Sequence, residues 1–197
     1  MKTRLHPENI IKHFLTITEH KIEVMKGCFK VGLYRQGILH DLSKYSPEEF
    51  IVGARYYQGN RSPNNAEREE IGYSSAWLHH KGRNKHHYEY WIDYNSNARY
   101  SEDLTIPVRM PVRYVVEMLM DRIAASKIYN KGHYTDDMPL KYLMKGYFDI
   151  PMHEETKRFL YALLKMLSVY GEDKTFNFIK YRLLKRKRKR LWQKKSF

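Results

Sequence analysis

The sequence predicts an all-α fold: a single helical domain over residues 1–172 and a basic helical tail over 173–197. Three observations predict it. Apolar residues recur at helical spacing from position 13 to position 31. Helix-start and helix-stop residues punctuate most of the remaining chain. No pair of alternating apolar runs is joined by a tight turn, although Arg99–Ile106 has weak pairing character.

Pro7-Glu8-Asn9 opens the first segment, which runs to Gly32. His13, Ile17, His20, Val24, Cys28 and Val31 fall on one of its faces, so His20 points inward between Ile17 and Val24. A short helix is expected from Gly37 to Lys44. Ser46-Pro47-Glu48-Glu49 then reads as a helix start, with Ser46 as cap, Pro47 at the first helical position and Glu49 completing a capping box. That helix should hold Phe50, Ile51, Ala54 and Tyr57. A loop over 58–65 precedes a helix expected from Ala66 to His80, closed by Gly82. Residues 82–106 are irregular and dense in Tyr, Trp, Asn and His.

Pro111 starts the next helix, which ends near Gly132. Its expected inner face is Tyr114, Met118, Asp121, Ala125 and Ile128, so an aspartate sits in an otherwise apolar stripe. Residues 152–170 form an amphipathic helix stopped by Gly171, and a last helix from about Lys174 grades into the tail.

At 197 residues the chain has room for one domain with a real core, and 42% apolar with 14% aromatic residues is too rich for a disordered chain. The formal charge is +14, but from Lys180 onward there are ten Lys or Arg and no acids, which leaves about +4 for the body. The lone Cys28 permits no intramolecular disulfide and no cysteine zinc site, and it reads as a core residue. The N-terminus lacks the apolar stretch of a signal peptide, and nothing approaches the roughly 18–20 apolar residues of a membrane span. A cytoplasmic location is therefore expected.

His20, the dipeptide His40-Asp41, and Asp121 are polar groups in apolar settings. A buried imidazole and two carboxylates are costly apart, and one divalent cation satisfies them together. Two His and two Asp suit iron, manganese, zinc or nickel better than calcium. The plainer alternative is a buried hydrogen-bond network. The stretch AWLHHKGRNKHHYEYW (76–91) adds two pairs, His79-His80 and His86-His87, around a Gly-Arg-Asn turn. These can ligate metal or line a polar, aromatic-lined rim. On a helix His79 and His80 lie about 100° apart, so at most one faces the site.

The order His…His-Asp…Asp resembles the HD superfamily of metal-dependent phosphohydrolases. ILHDLSK (38–44) has the form of the HD motif with its following lysine. The resemblance implies an HD-like helical bundle with one or two metal ions. His20, His40, Asp41 and Asp121 would be ligands, with His79, His80, His86 and His87 available for a second ion or for phosphate. It further implies that Lys44 and Arg83 hold the phosphate of a nucleotide or other small phosphate ester, while Asp41 or a nearby histidine takes a proton from water. One departure is the spacing of twenty residues from His20 to His40, shorter than is usual there. His13, on the same face two turns earlier, is the substitute ligand.

The chain as a whole resembles a bacterial and phage family known only as a domain of unknown function. The matching pieces are HK at 20–21, HDLSKYSPEEF (40–50), AWLHHKGRNKHHYEYW (76–91), MPVRYVVEMLMDRIAAS (110–126) and HEET (153–156). At the place of Lys85 that family often has proline.

Two other functions stay open. A mixed His/carboxylate di-iron site can also perform oxidation. The tail LLKRKRKRLWQKK makes weak, salt-sensitive association with nucleic acid or an anionic membrane possible through residues 180–195, and a non-catalytic binding module is the alternative to an enzyme.

Overall fold

The computed structural model describes residues 3–99 and 103–185. Helix α1 spans Pro7–Val31, and its buried residues are His13, Ile17, His20, Val24, Cys28 and Val31, the stripe read from the sequence. Gly32 closes it in the left-handed region at φ 86, where the Leu33 N–H reaches back to the Cys28 carbonyl. Helix α2 (Tyr34–Leu39) follows, then a 3-10 turn at Leu42–Tyr45. The expected single helix over 37–44 is thus broken. Asp41 adopts φ 52, the only positive φ outside glycine among the described residues, and turns the chain sharply at the His-Asp pair.

Helix α3 (Pro47–Arg55) starts where expected, but the capping box does not form. The Ser46 side chain makes no cap bond, and Glu49 is buried and directed inward. The helix expected over 66–80 is two helices, α4 (Pro63–Ile71) and α5 (Ser75–Arg83). Gly72 breaks them apart at φ 85, and Ser74 caps α5 by accepting from the Trp77 N–H. Gly82 lies inside α5 rather than after it. The buried Glu67 pins this corner, accepting from Ser74 and Ser75.

The irregular stretch holds a 3-10 turn (Tyr88–Trp91) and two short antiparallel strands, β1 (Ile92–Tyr94) and β2 (Thr105–Pro107). Helix α6 (Val112–Tyr129) lies against α1 and α8. Its buried residues include five consecutive side chains from Val116 to Met120, so it is covered on most sides. The single inner face expected from the sequence is too narrow, because Val115, Val116, Glu117, Leu119 and Met120 lie off it and are buried, while its own Tyr114, Asp121 and Ala125 are only half-buried. Helix α7 (Met138–Met144) precedes α8 (Glu154–Phe178). Gly171, at φ 78 and ψ 175, kinks α8. The π-helical turn Ile179–Leu184 follows.

The core joins Val24, Cys28 and Val31 of α1, Val116, Leu119 and Ile123 of α6, and Leu160, Leu164 and Leu167 of α8. Each fully buried aliphatic side chain contributes about 1.5–3 kcal/mol. Phe176 and Ile179 also belong to it, so the packed body continues past Gly171. The fold is all-α apart from the two strands. No helix among the described residues is long and apolar enough to cross a membrane. Most of the basic run 180–195 lies at 186–195, outside the described residues.

Candidate metal centre

Three helices and two connecting turns bring the polar residues together. His20 comes from α1, and His40-Asp41 from the break after α2. Glu117 and Asp121, one turn apart on α6, face the same way. His80 comes from α5, and His86-His87 from the loop after it.

Asp41 sits at the middle. Its side chain is only 2% exposed, and its two oxygens face different partners. Oδ1 lies 3.3 Å from Nε2 of His80 and 3.3 Å from Nε2 of His86. Oδ2 lies 3.3 Å from Nε2 of His40, 3.9 Å from Nε2 of His20 and 2.6 Å from Nζ of Lys44. Two ligand groups share this carboxylate: His20, His40, Asp41 and Asp121 on one side, and Asp41, His80, His86 and His87 on the other. In each group the candidate ligand atoms lie within 4.8 Å of one another.

Two glutamates orient the imidazoles from behind. Glu117 Oε1 accepts from Nδ1 of His40 at 3.1 Å and lies 3.4 Å from Nδ1 of His86. Glu49 accepts from Nδ1 of His79 at 2.6 Å and from Nδ1 of His80 at 2.7 Å. An imidazole whose Nδ1–H is held by a carboxylate turns its Nε2 lone pair outward, the usual arrangement behind a metal-binding histidine. Nε2 of His40, Nε2 of His86 and Oδ1 of Asp41 are buried without a hydrogen-bond partner, while Oδ2 of Asp41 is paired with the Lys44 ammonium. Those atoms converge, and such orphaned groups are expensive to bury unless something satisfies them. Nε2 of His80 and of His87 are 2.9 Å apart. The donor set is nitrogen and carboxylate oxygen, which fits a divalent transition ion.

The electrostatics follow from this crowding. Burial opposes charge on Asp41, but His40, Lys44, His80 and His86 outweigh it and hold its carboxyl well below the usual range. Asp121 is likewise held well below by His20 and His40 against its burial. Burial works against a charged His40, yet Asp41, Asp121 and Glu117 push it well above the ordinary histidine value. His87 is pushed well below that value by burial and then by His86 and His80. Burial of Lys44 is overcome by Asp41 and Asp121, so its ammonium stays charged.

The match spans this whole arrangement. The chain belongs to DUF5662, a family of unknown function whose model covers residues 9–166. No curated protein and no solved structure matches the chain. The DUF5662 region contains every residue of both ligand groups and ends before the basic segment.

Some residues singled out from the sequence stand elsewhere. His13 is not a substitute for His20: it packs on Phe50 and Tyr57 beneath α3, with ring centroids 5.4 and 6.0 Å away. His79 touches Glu49 but belongs to neither ligand group. Arg83 is exposed, and its guanidinium donates to the His79 carbonyl of its own helix at 3.3 Å. Sequence reasoning missed the roles of Glu49 and Glu117, and it also missed Arg122. Nε of Arg122 is buried without a hydrogen-bond partner, and its charge is felt by neighbouring Asp121 and by Glu89. Cys28 is buried in the core, and burial pushes its thiol up, away from nucleophilic use.

Proposed function

We propose that this chain is a metal-dependent phosphohydrolase acting on a nucleotide or another small phosphate ester, with one or two divalent transition ions. The observation that carries the reading is the Asp41 carboxylate, shared between two His/carboxylate groups with Lys44 at its edge. The resemblance of His20, His40-Asp41 and Asp121 to the HD motif supports the same chemistry. When bound, such ions supply a water of lowered pKa and polarise a phosphoryl oxygen.

The chain's own groups then do the positioning. Side chains of Asp121 and Lys44 are 18% and 29% exposed while His40 is sealed, so the centre is reached from the Asp121–Lys44 side. Lys44 meets an arriving phosphate there with a charge-assisted hydrogen bond. Arg122, beside Asp121 and without an ion-pair partner closer than 4 Å among the described residues, is a better second cation than the outlying Arg83. Asp41 has Oδ1 directed at His80 and His86 and Oδ2 shared between His40 and Lys44, so it serves as the shared ligand rather than as the proton acceptor.

Elemental analysis of untagged protein tests this, with the His40→Ala/Asp41→Ala variant alongside. Near-stoichiometric metal that vanishes in the variant, followed by turnover of a phosphate ester with that metal, is the expected result. Protein that takes up none of manganese, iron, zinc or nickel would overturn it.

A further inference from the structure

Helix α1 is apolar on two opposite faces. One is the buried stripe from His13 to Val31. The other carries Ile11, Leu15, Thr18, Ile22, Met25 and Phe29, at spacings of four and three residues in alternation. That is the seam spacing of paired helices, sustained over about 27 Å at 1.5 Å per residue. A surface helix normally presents polar residues on this side. Here Ile11 is 64% exposed, Leu15 59%, Ile22 40% and Phe29 36%.

The apolar surface extends to the neighbouring segment. Gly37 of α2 sits directly on α1 at Met25 and Cys28, and Lys21 of α1 donates to the carbonyls of Ile38 and His40. Ile38, Leu39 and Leu42, around the His40-Asp41 turn, are 53%, 48% and 49% exposed.

We infer that this face of α1 is a homodimer interface, covered by the same face of a second copy running antiparallel. Area argues for a folded partner of this size. The seven exposed residues present roughly 600–700 Å², at or above the top of the 300–600 Å² range for the largest patch on a typical monomer and approaching the ~800 Å² per partner of a standard interface. A closed pair uses one self-complementary patch on both copies. The opposed helix dipoles favour the antiparallel sense. Lys12, Glu19 and Lys26 flank the seam as a polar rim. The pair would also brace the outer side of the turn that holds His40 and Asp41, whether or not the centre is catalytic.

Sedimentation equilibrium of the full chain, from low to high micromolar concentration, tests the inference. The wild type should sediment as a dimer. Leu15→Glu and Ile22→Glu, both outward-facing, should sediment as monomers with unchanged helical circular dichroism. Leu42→Glu, outside α1, should weaken the dimer at least tenfold and tests the interface without altering that helix. A monomeric wild type, including one whose own tail shields this face, overturns the inference. So does a dimer that survives all three substitutions.

Discussion

Glu117 and His40 are joined by a 3.1 Å hydrogen bond from the imidazole Nδ1 to the carboxylate, and His86 approaches the same oxygen at 3.4 Å. One buried carboxylate thus fixes two imidazoles that come from loops 46 positions apart in sequence.

Glu117→Gln keeps the shape but removes the charge that holds both Nδ1–H groups. Orienting partners of this kind are worth about 10- to 100-fold in metal affinity. The expected outcome is a loss of that size in a competition titration with a metal-binding dye, while the helical signal stays. Unchanged affinity would show that Glu117 has only a packing role.

Glu49 separates the two ligand groups. It accepts from His79 and His80 but contacts neither His20, His40 nor Asp121. Glu49→Gln should therefore weaken the group of His80, His86 and His87 selectively. In protein that binds two ions, metal content should fall toward one per chain. Asp41→Asn, which removes the shared charge but tolerates a positive φ, should empty both. Elemental analysis of the three proteins, equilibrated at the same free metal concentration, distinguishes these outcomes.

These two glutamates also mark the limit of what the sequence reveals. His20 was legible because α1 buries one stripe toward the core, and the period of that stripe points the histidine inward. Glu117 was not, because α6 is buried on most sides, and the one stripe read on it, through Met118 and Asp121, leaves Glu117 outside although it too is buried. Glu49 sat three residues after a serine and before apolar residues, a pattern with a sufficient local explanation in capping. The tertiary position of α5 overrides it, since two histidines there offer Glu49 charge-assisted partners. The broken helices at Asp41 and Gly72 escaped for a related reason: one left-handed residue redirects the chain while leaving the apolar pattern on both sides intact.

Gly53 of α3 lies directly under His13 of α1, and a Cβ there would overlap the imidazole ring. Gly53→Ala should therefore cost about 1–3 kcal/mol by overpacking, despite the better helix propensity of alanine. The cost should shrink markedly in a His13→Ala background, because the two positions share one contact. Urea denaturation of the two single variants and the double variant closes this cycle. Equal cost in both backgrounds would place the strain elsewhere. Because Glu49 is one turn earlier on α3, Gly53→Ala should also lower metal occupancy.

His13 itself sets an acid limit on stability. Its ring is buried between Phe50, Tyr57 and Gly53, Nδ1 has no hydrogen-bond partner, and burial together with the Lys44 charge lowers its pKa from 6.5 to about 4. Folding therefore favours the neutral ring. Above pH 6.5 both folded and unfolded chains carry it neutral, and the group is indifferent to pH. Between 6.5 and about 4 the unfolded chain binds a proton that the folded chain refuses, so stability falls as the pH drops. Each pH unit in that window costs about 1.4 kcal/mol. His13→Leu removes this proton linkage. Whatever its cost at pH 7, the difference in unfolding free energy should move about 2–3 kcal/mol in favour of the variant by pH 4.5. Urea titrations of wild type and variant at the two pH values, in metal-free buffer, measure it. A difference that stays constant with pH would mean that His13 takes up its proton in the folded chain as readily as in the unfolded one.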